Sequence, residues 1–146
     1  MPSKYIPKTL KKTVKERANF YCEYCYAPAN FSPSYFEIDH VFPSSLGGKT
    51  IAENLAFACG TCNTAKSNRL QYLDPFTNQL TNLFHPRKNL WTDYFQWNEN
   101  GALIIGLNPT ARATVLLLQV NRPANINLRR LLFEKSWHPP KNYPKD

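Results

Sequence analysis

Apolar positions fall into two regimes along the chain. Leu10, Val14 and Ala18 recur at i, i+4 and i+8, which predicts a helix over residues 8–20 with one apolar stripe and Thr9 as its cap. Residues 1–7 hold two prolines and read as a loose arm. Residues 26–35, with Pro28 and Pro33, read as loop. Phe36 to Val41 reads as a short strand, ended by Pro43. Ser44 to Lys49 contains Gly47 and Gly48 and predicts a turn, Leu55 to Ala58 is a second apolar run, and residues 63 to about 72 read as a helix without a breaker.

Pro75 opens a second segment. Trp91 to Trp97 is aromatic-rich and resembles a strand, Asn100-Gly101 is a hairpin signal, and Leu103 to Ile105 supplies the return strand. Asn108-Pro109 combines a cap with a first-turn proline, so a helix is expected to about Gln119, and Pro123 opens another reaching about Lys135. The tail from Trp137 reads as an irregular arm. No internal repeat or low-complexity tract interrupts this order. The length, 146 residues, suits a single domain over 1–146, with a core at about 17–72 and an extension at about 75–135.

Composition narrows the class. Hydrophobic residues make up 42% and aromatics 14%, enough to fold rather than remain disordered. Eighteen basic residues stand against ten acidic ones, a net charge of +8 that favours a polyanionic partner. Lys8, Lys11, Lys12, Lys15 and Arg17 lie mostly off the apolar stripe of the first helix; a solvated surface and a contact to a DNA backbone both fit that face. The longest apolar run, Val115 to Leu118, is far below the roughly 20 residues of a membrane span, so no membrane partner is expected. The basic N-terminus has no apolar stretch after it, so a signal peptide is not expected and a cytoplasmic location is.

The four cysteines form two C-x-x-C pairs, Cys22/Cys25 and Cys59/Cys62. Two disulfides or a redox pair are alternatives, but a reducing compartment and the doubled spacing favour four thiolates around a tetrahedral Zn²⁺. With four protein ligands such a zinc braces the fold and leaves no position for catalysis.

Between the two pairs lies Glu37-Ile38-Asp39-His40-Val41, followed by Pro43, Gly47-Gly48, Asn54-Leu55, and then Cys62-Asn63-x-x-Lys66. Phosphodiester hydrolysis needs a base for the attacking water, charge compensation on phosphorus, and stabilisation of the leaving oxygen. His40 is the candidate base: it is flanked by a carboxylate and set just before a turn, whereas His85 and His138 each precede a proline. Asp39 and Asn63 are candidate oxygen donors to a divalent ion. Neighbouring residues on a regular strand point to opposite faces, so Asp39 and His40 serve one phosphate only where the strand is ending. Asn63 also suits a helix cap at the start of its helix. Asn54 is an ordinary turn asparagine, or one that ties the loop and fixes the His40 ring. Lys66 and Arg69 follow Asn63 at i+3 and i+6 and are candidate phosphate contacts.

Together these residues resemble the HNH endonuclease family, also called His-Me finger or ββα-metal nucleases, over about residues 17–69. The resemblance implies an α+β fold: a ββα-metal core with a structural zinc, an N-terminal helix, and a C-terminal β-hairpin plus two-helix extension. It implies DNA as substrate, 5′-phosphate and 3′-hydroxyl ends, Asp39 and Asn63 on the catalytic metal, His40 as general base, Asn54 at the central asparagine, and Cys22, Cys25, Cys59 and Cys62 on zinc. Where the family often has a final histidine, Asn63 stands here. Two oxygen donors suit Mg²⁺ or Mn²⁺ better than Zn²⁺ at the catalytic position. A single active site cuts one strand per visit, so cutting both strands implies a homodimer. The pattern Pro86-Arg87, Trp91 to Phe95, Gly106-Leu107 and Arg112-Ala113-Thr114 is similar to an extension behind some bacterial HNH cores. It reads mainly as a platform, with Arg87 and Arg112 on phosphate or paired with carboxylates. The rivals are a non-catalytic zinc-knuckle module that binds nucleic acid and a protein-binding zinc domain.

Overall fold

A computed structural model describes residues 5–141, so the arms expected at the two ends lie partly outside the described residues. The fold is α+β, with helices and small antiparallel strand pairs. The chain, expected as one domain, divides into two compact units: Met1–Leu70 with His85–Lys88, and Gln71–Phe84 with Asn89–Asp146.

The first unit begins with helix α1, Lys8–Arg17. It is shorter than the sequence suggests. Pro7 occupies the cap position without a side-chain hydrogen bond, so Thr9 lies inside the helix, and the chain leaves the helix before Asn19 and Phe20, which both adopt positive φ. Strands β1 (Phe36–His40) and β2 (Leu55–Cys59) pair antiparallel, with Phe36 opposite Cys59 and His40 opposite Leu55. Every residue of β2 is buried: α1 covers one face, where Val14 and Ala18 pack with Leu55 and Phe57 and Leu10, Phe36 and Ile38 join this core, and α2 also packs against the strand. Arg17 clamps the end of α1 to the sheet by donating to the carbonyls of Ala52 (2.9 Å) and Leu55 (2.6 Å).

Helix α2, Gly60–Lys66, follows β2 directly. It starts three residues earlier than expected because Cys59 caps it, its sulfur accepting from the Cys62 amide. It also ends earlier, at Ser67 with φ +51°, and residues 71–73 are strand rather than helix. The chain between β1 and β2 turns through Gly47 at φ +96°, where a side chain is strained, and Gly48, whose missing Cβ leaves room for the Phe42 carbonyl.

The second unit opens with a hairpin that the sequence did not reveal, β3 (Gln71–Leu73) paired with β4 (Leu80–Asn82). Trp91–Tyr94 forms a single helical turn, α3, and only Phe95–Trp97 is strand (β5), pairing with β6, Ile104–Gly106. The aromatics of that run stack on one another instead of alternating: Trp91 lies 5.3 Å from Phe95 and 5.4 Å from Trp97. Helix α4, Pro109–Leu118, is capped by Asn108, whose side chain accepts from the Ala111 amide, and α5 runs Pro123–Glu134. Asp74 and Arg112 form a two-point ion pair at 2.9 and 3.0 Å. Among the described residues, no helix is long and apolar enough to cross a membrane.

Candidate metal centres and active site

The four cysteine sulfurs lie within 4.8 Å of one another, and all four residues are buried. The first pair sits on the turn after α1 and the second at the junction of β2 and α2; the packing of α1 on β2 and the hydrogen bonds between Glu23 and Phe57 bring them together. A zinc ion at the usual Zn–S distance of about 2.3 Å sets the sulfurs of a tetrahedron roughly 3.8 Å apart, and Cys25 and Cys59 Sγ are 3.8 Å apart. Amides of Cys25 and Cys62 donate to Cys22 and Cys59 sulfur at 3.4 Å, which supports thiolate charge. The cluster fits a structural Zn²⁺ held by Cys22, Cys25, Cys59 and Cys62.

The knuckle is tied to the sheet through Glu23. Its amide donates to Phe57 O and its carboxylate accepts from Phe57 N, both at 2.8 Å. The other carboxylate oxygen takes the guanidinium of Arg87, so residues 85–88 are fastened to the knuckle. Arg87 and Arg112 thus both pair with carboxylates.

Period-two geometry separates the faces of β1. Phe36 and Ile38 turn toward the apolar core. Glu37 and Asp39 turn the other way, toward α2. Residues two apart on a strand are about 7 Å apart, and residues three apart on a helix rise about 4.5 Å, close enough for side chains to match in pairs. Asn63 Nδ2 donates to Glu37 Oε2 at 2.7 Å, and Lys66 Nζ reaches Asp39 Oδ2 at 3.2 Å. Tyr24, from inside the first C-x-x-C, donates its hydroxyl to the same Asp39 oxygen at 2.7 Å. Asp39 is 5% exposed. Burial raises its pKa above the ordinary carboxylate value, and the charge of Lys66 and the Tyr24 hydrogen bond oppose the rise. The Tyr24 hydroxyl is pushed well up, first by burial and then by Asp39, so it stays protonated and remains a donor.

Lys66 does not present its ammonium to solvent as a phosphate contact would. It is 2% exposed, and its Nζ also donates to the carbonyls of Val41 (3.0 Å) and His40 (3.4 Å). A buried lysine must keep partners of this kind, and Asp39 supplies the countercharge. Arg69 lies beyond the end of α2, on the exposed surface.

His40 closes β1, where the strand ends, and its Nε2 lies 3.0 Å from Thr50 Oγ1. Asn54 does not hold that ring. Its side chain accepts from the Phe42 amide at 2.8 Å and donates to the carbonyls of Phe42 (3.0 Å) and Lys49 (2.9 Å). It therefore staples the loop that carries Thr50 to the end of β1. The structure joins Asp39, Lys66, Asn63 and Glu37 on one face and sets His40 with Thr50 at the strand's end. Tyr24, Glu37 and Thr50 were not singled out from sequence, although Glu37 stands in the same strand motif and shares the parity of Asp39.

An anionic, oxygen-rich face with a buried carboxylate suits a hard divalent cation. Asp39 and the Asn63 amide are the residues that would hold it, since Nδ2 bonds Glu37 and Oδ1 is the amide's ligand atom.

Residues 22–69 match the family model described as HNH endonuclease. The chain is similar to the CRISPR-associated endonuclease Cas9 of Corynebacterium diphtheriae (strain ATCC 700971 / NCTC 13129 / Biotype gravis), with 43% identity over 54 residues, which is 36% of this chain and 5% of that protein. The match thus spans about one-twentieth of that relative's length. No solved structure matches the chain.

Proposed function

We propose, from the premise that residues 22–69 carry an HNH endonuclease domain, that this protein is a metal-dependent endonuclease that hydrolyses DNA phosphodiester bonds. The observation that carries the reading is the pairing of β1 with α2. What supports it is that Asp39 and Asn63 both take part in the contact between β1 and α2, with His40 at the strand's end beside a stapled loop. A zinc knuckle that only binds nucleic acid has no use for that combination.

In this reading His40, in its neutral form, takes a proton from the attacking water, and Thr50 fixes the ring. Asn54 holds the loop so that Thr50 and the end of β1 keep their spacing. Asp39 and Asn63 would hold Mg²⁺ or Mn²⁺, which when bound would supply charge compensation to the phosphate and the leaving oxygen. Tyr24 and Lys66 fix the Asp39 carboxylate, and Lys66 lowers the electrostatic burden of a buried acid. Glu37 orients the Asn63 amide. In the same reading the exposed Arg69 meets a DNA phosphate. The zinc site is structural. A single site cuts one strand per visit, so cutting of both strands would suggest a dimer with one site per strand.

The test is nicking of supercoiled plasmid by the full chain with Mg²⁺ or Mn²⁺ added. His40→Ala is expected to lose nearly all cleavage, at least about a hundredfold, with zinc content and melting temperature unchanged. Normal cutting by that variant, or cleavage with Zn²⁺ and none with Mg²⁺ or Mn²⁺, overturns the assignment.

A further inference from the structure

Helix α1 has two edges with opposite duties. Its apolar edge seals β2, and Arg17 locks it to the sheet. The opposite edge carries Lys8, Lys11, Lys12 and Lys15, at i, i+3, i+4 and i+7, all exposed. With Glu16 and Phe20 they line a groove of about 410 Å³. Four cations there face one carboxylate, and that carboxylate lies 3.8 Å from Lys12. The candidate active site needs none of these residues, so its chemistry does not account for the lysine ridge.

Phe20 sets this groove apart from an ordinary solvated helix face. The residue is 43% exposed and adopts φ +60°, a conformation that bulky side chains rarely take. Two backbone hydrogen bonds hold it there: its amide donates to Lys15 O at 3.1 Å, and its carbonyl accepts from the Ala29 amide at 2.8 Å. An aromatic ring is thus held at a groove whose other lining residues are four lysines and Glu16. Lysines neutralise phosphates without regard to sequence, and an exposed ring stacks on any unpaired base. In a duplex the base faces are already covered, so a stacking ring selects for single strands. From Lys8 to Lys15 the helix rises about 10 Å, so the four ammonium groups can follow a short stretch of one backbone.

We propose that the groove of α1 and Phe20 is a binding track for single-stranded DNA, with Lys8, Lys11, Lys12 and Lys15 on the phosphates and Phe20 stacked on a base. The choice of DNA as the polyanion rests on the nuclease reading above; the track itself does not depend on catalysis. An enzyme so equipped engages DNA that carries an unpaired stretch, such as a flap, bubble or displaced strand.

The test is fluorescence anisotropy of the full chain with a labelled oligothymidylate and with a duplex of equal length, across a salt series and without added divalent ion, so that binding is read in the absence of cleavage. The quadruple variant Lys8→Gln, Lys11→Gln, Lys12→Gln, Lys15→Gln is expected to flatten the salt dependence on the single strand by two to three units, at about 0.7 per phosphate contact. Phe20→Ala is expected to weaken single-strand binding about tenfold or more while leaving duplex binding and the salt slope unchanged. Phe20→Leu keeps apolar bulk without the ring face and is expected to behave like Phe20→Ala. Zinc content and melting temperature equal to the parent's establish that each variant is folded. Should Phe20→Ala fail to fold, the quadruple variant and Phe20→Leu decide the matter. An unchanged salt slope in the quadruple variant, or equal losses on single strand and duplex in the Phe20 variants, overturns the proposal. Plasmid nicking by His40→Ala is scored separately, so failure of the track and failure of the nuclease reading give different results.

Discussion

The Tyr24 hydroxyl donates to Asp39 at 2.7 Å, and this one bond joins the cysteine knuckle to the carboxylate of the candidate active site. Tyr24 is 2% exposed and lies between two zinc ligands, so its position is set by the knuckle rather than by its own flexibility. Tyr24→Phe keeps the packing and removes the donor. The buried carboxylate then has Lys66 but one partner fewer, at a cost of about 1–2 kcal/mol and a fall of a few degrees in melting temperature. Because the freed carboxylate can rotate, the nicking assay is expected to require more Mg²⁺ or Mn²⁺ for half-maximal cutting. A metal titration identical to the parent's shows that Tyr24 does not position Asp39.

The cysteine cluster makes a separate prediction. In zinc-finger peptides a structural zinc is worth about 10–16 kcal/mol, as much as or more than the 5–15 kcal/mol that stabilises a typical domain. The purified chain is expected to contain one zinc, measured by elemental analysis. Replacing that zinc with Co²⁺ is expected to produce the intense thiolate absorption of a tetrahedral site. Cys59→Ala removes a ligand and also the sulfur that caps α2. It is expected to abolish metal binding and the cooperative unfolding of the first unit. A metal-free chain with the parent's melting curve is inconsistent with a zinc brace.

Asn54 is a third case, because its side chain makes three hydrogen bonds to backbone on both sides of the loop. Asn54→Ala leaves the Phe42 amide and two carbonyls without those partners, and a loss of about 2–3 kcal/mol follows. The end of β1 and Thr50 then lose their fixed spacing. A displacement near 1 Å at a reacting group reduces rate by about a hundredfold, so cleavage is expected to fall by that order while zinc stays bound. Unaltered stability in thermal melts contradicts the staple.

Much of the candidate site was legible because its chemistry is crowded into contiguous motifs. Asp39, His40, Asn63 and the four cysteines stand out by residue type and spacing alone. Their partners do not. Tyr24 is hidden between two cysteines that draw attention to themselves. Glu37 and Thr50 acquire meaning only when α2 crosses β1 and the Gly47-Gly48 loop folds back. Lys66 reads as a surface lysine, and only tertiary packing reveals that it is buried against Asp39. In the fold, α4 was readable because Asn108-Pro109 is a local stop-and-start signal whose energetics need no distant contact. The early end of α2 was not, because Ser67 carries no sequence mark of its positive φ. The β3–β4 hairpin was missed for a similar reason. Its strands are three residues each, too short to show a period, and its turn is organised by the Asp74 side chain, which accepts from Phe76 and Thr77 amides.

That aspartate also sets a pH-dependent property of the second unit. Asp74 is fully shielded from solvent, takes a two-point ion pair from Arg112, and accepts from the Thr77 hydroxyl at 2.7 Å. Arg112 first, and then the hydrogen bonds from Thr77 and Phe76, hold its carboxyl well below the usual carboxylate range. In the unfolded chain the same group titrates near the ordinary value of about 3.9. The folded state therefore binds the proton less readily, and the resulting stability is present above about pH 4 and drains away as pH falls through the lowered folded value. Asp74→Asn lacks this contribution at every pH. Its melting temperature is expected to fall clearly below the parent's at pH 7, and the gap to narrow progressively between pH 4 and pH 2. A gap that stays constant over that range assigns the loss to packing or turn geometry and removes the ion pair from the account.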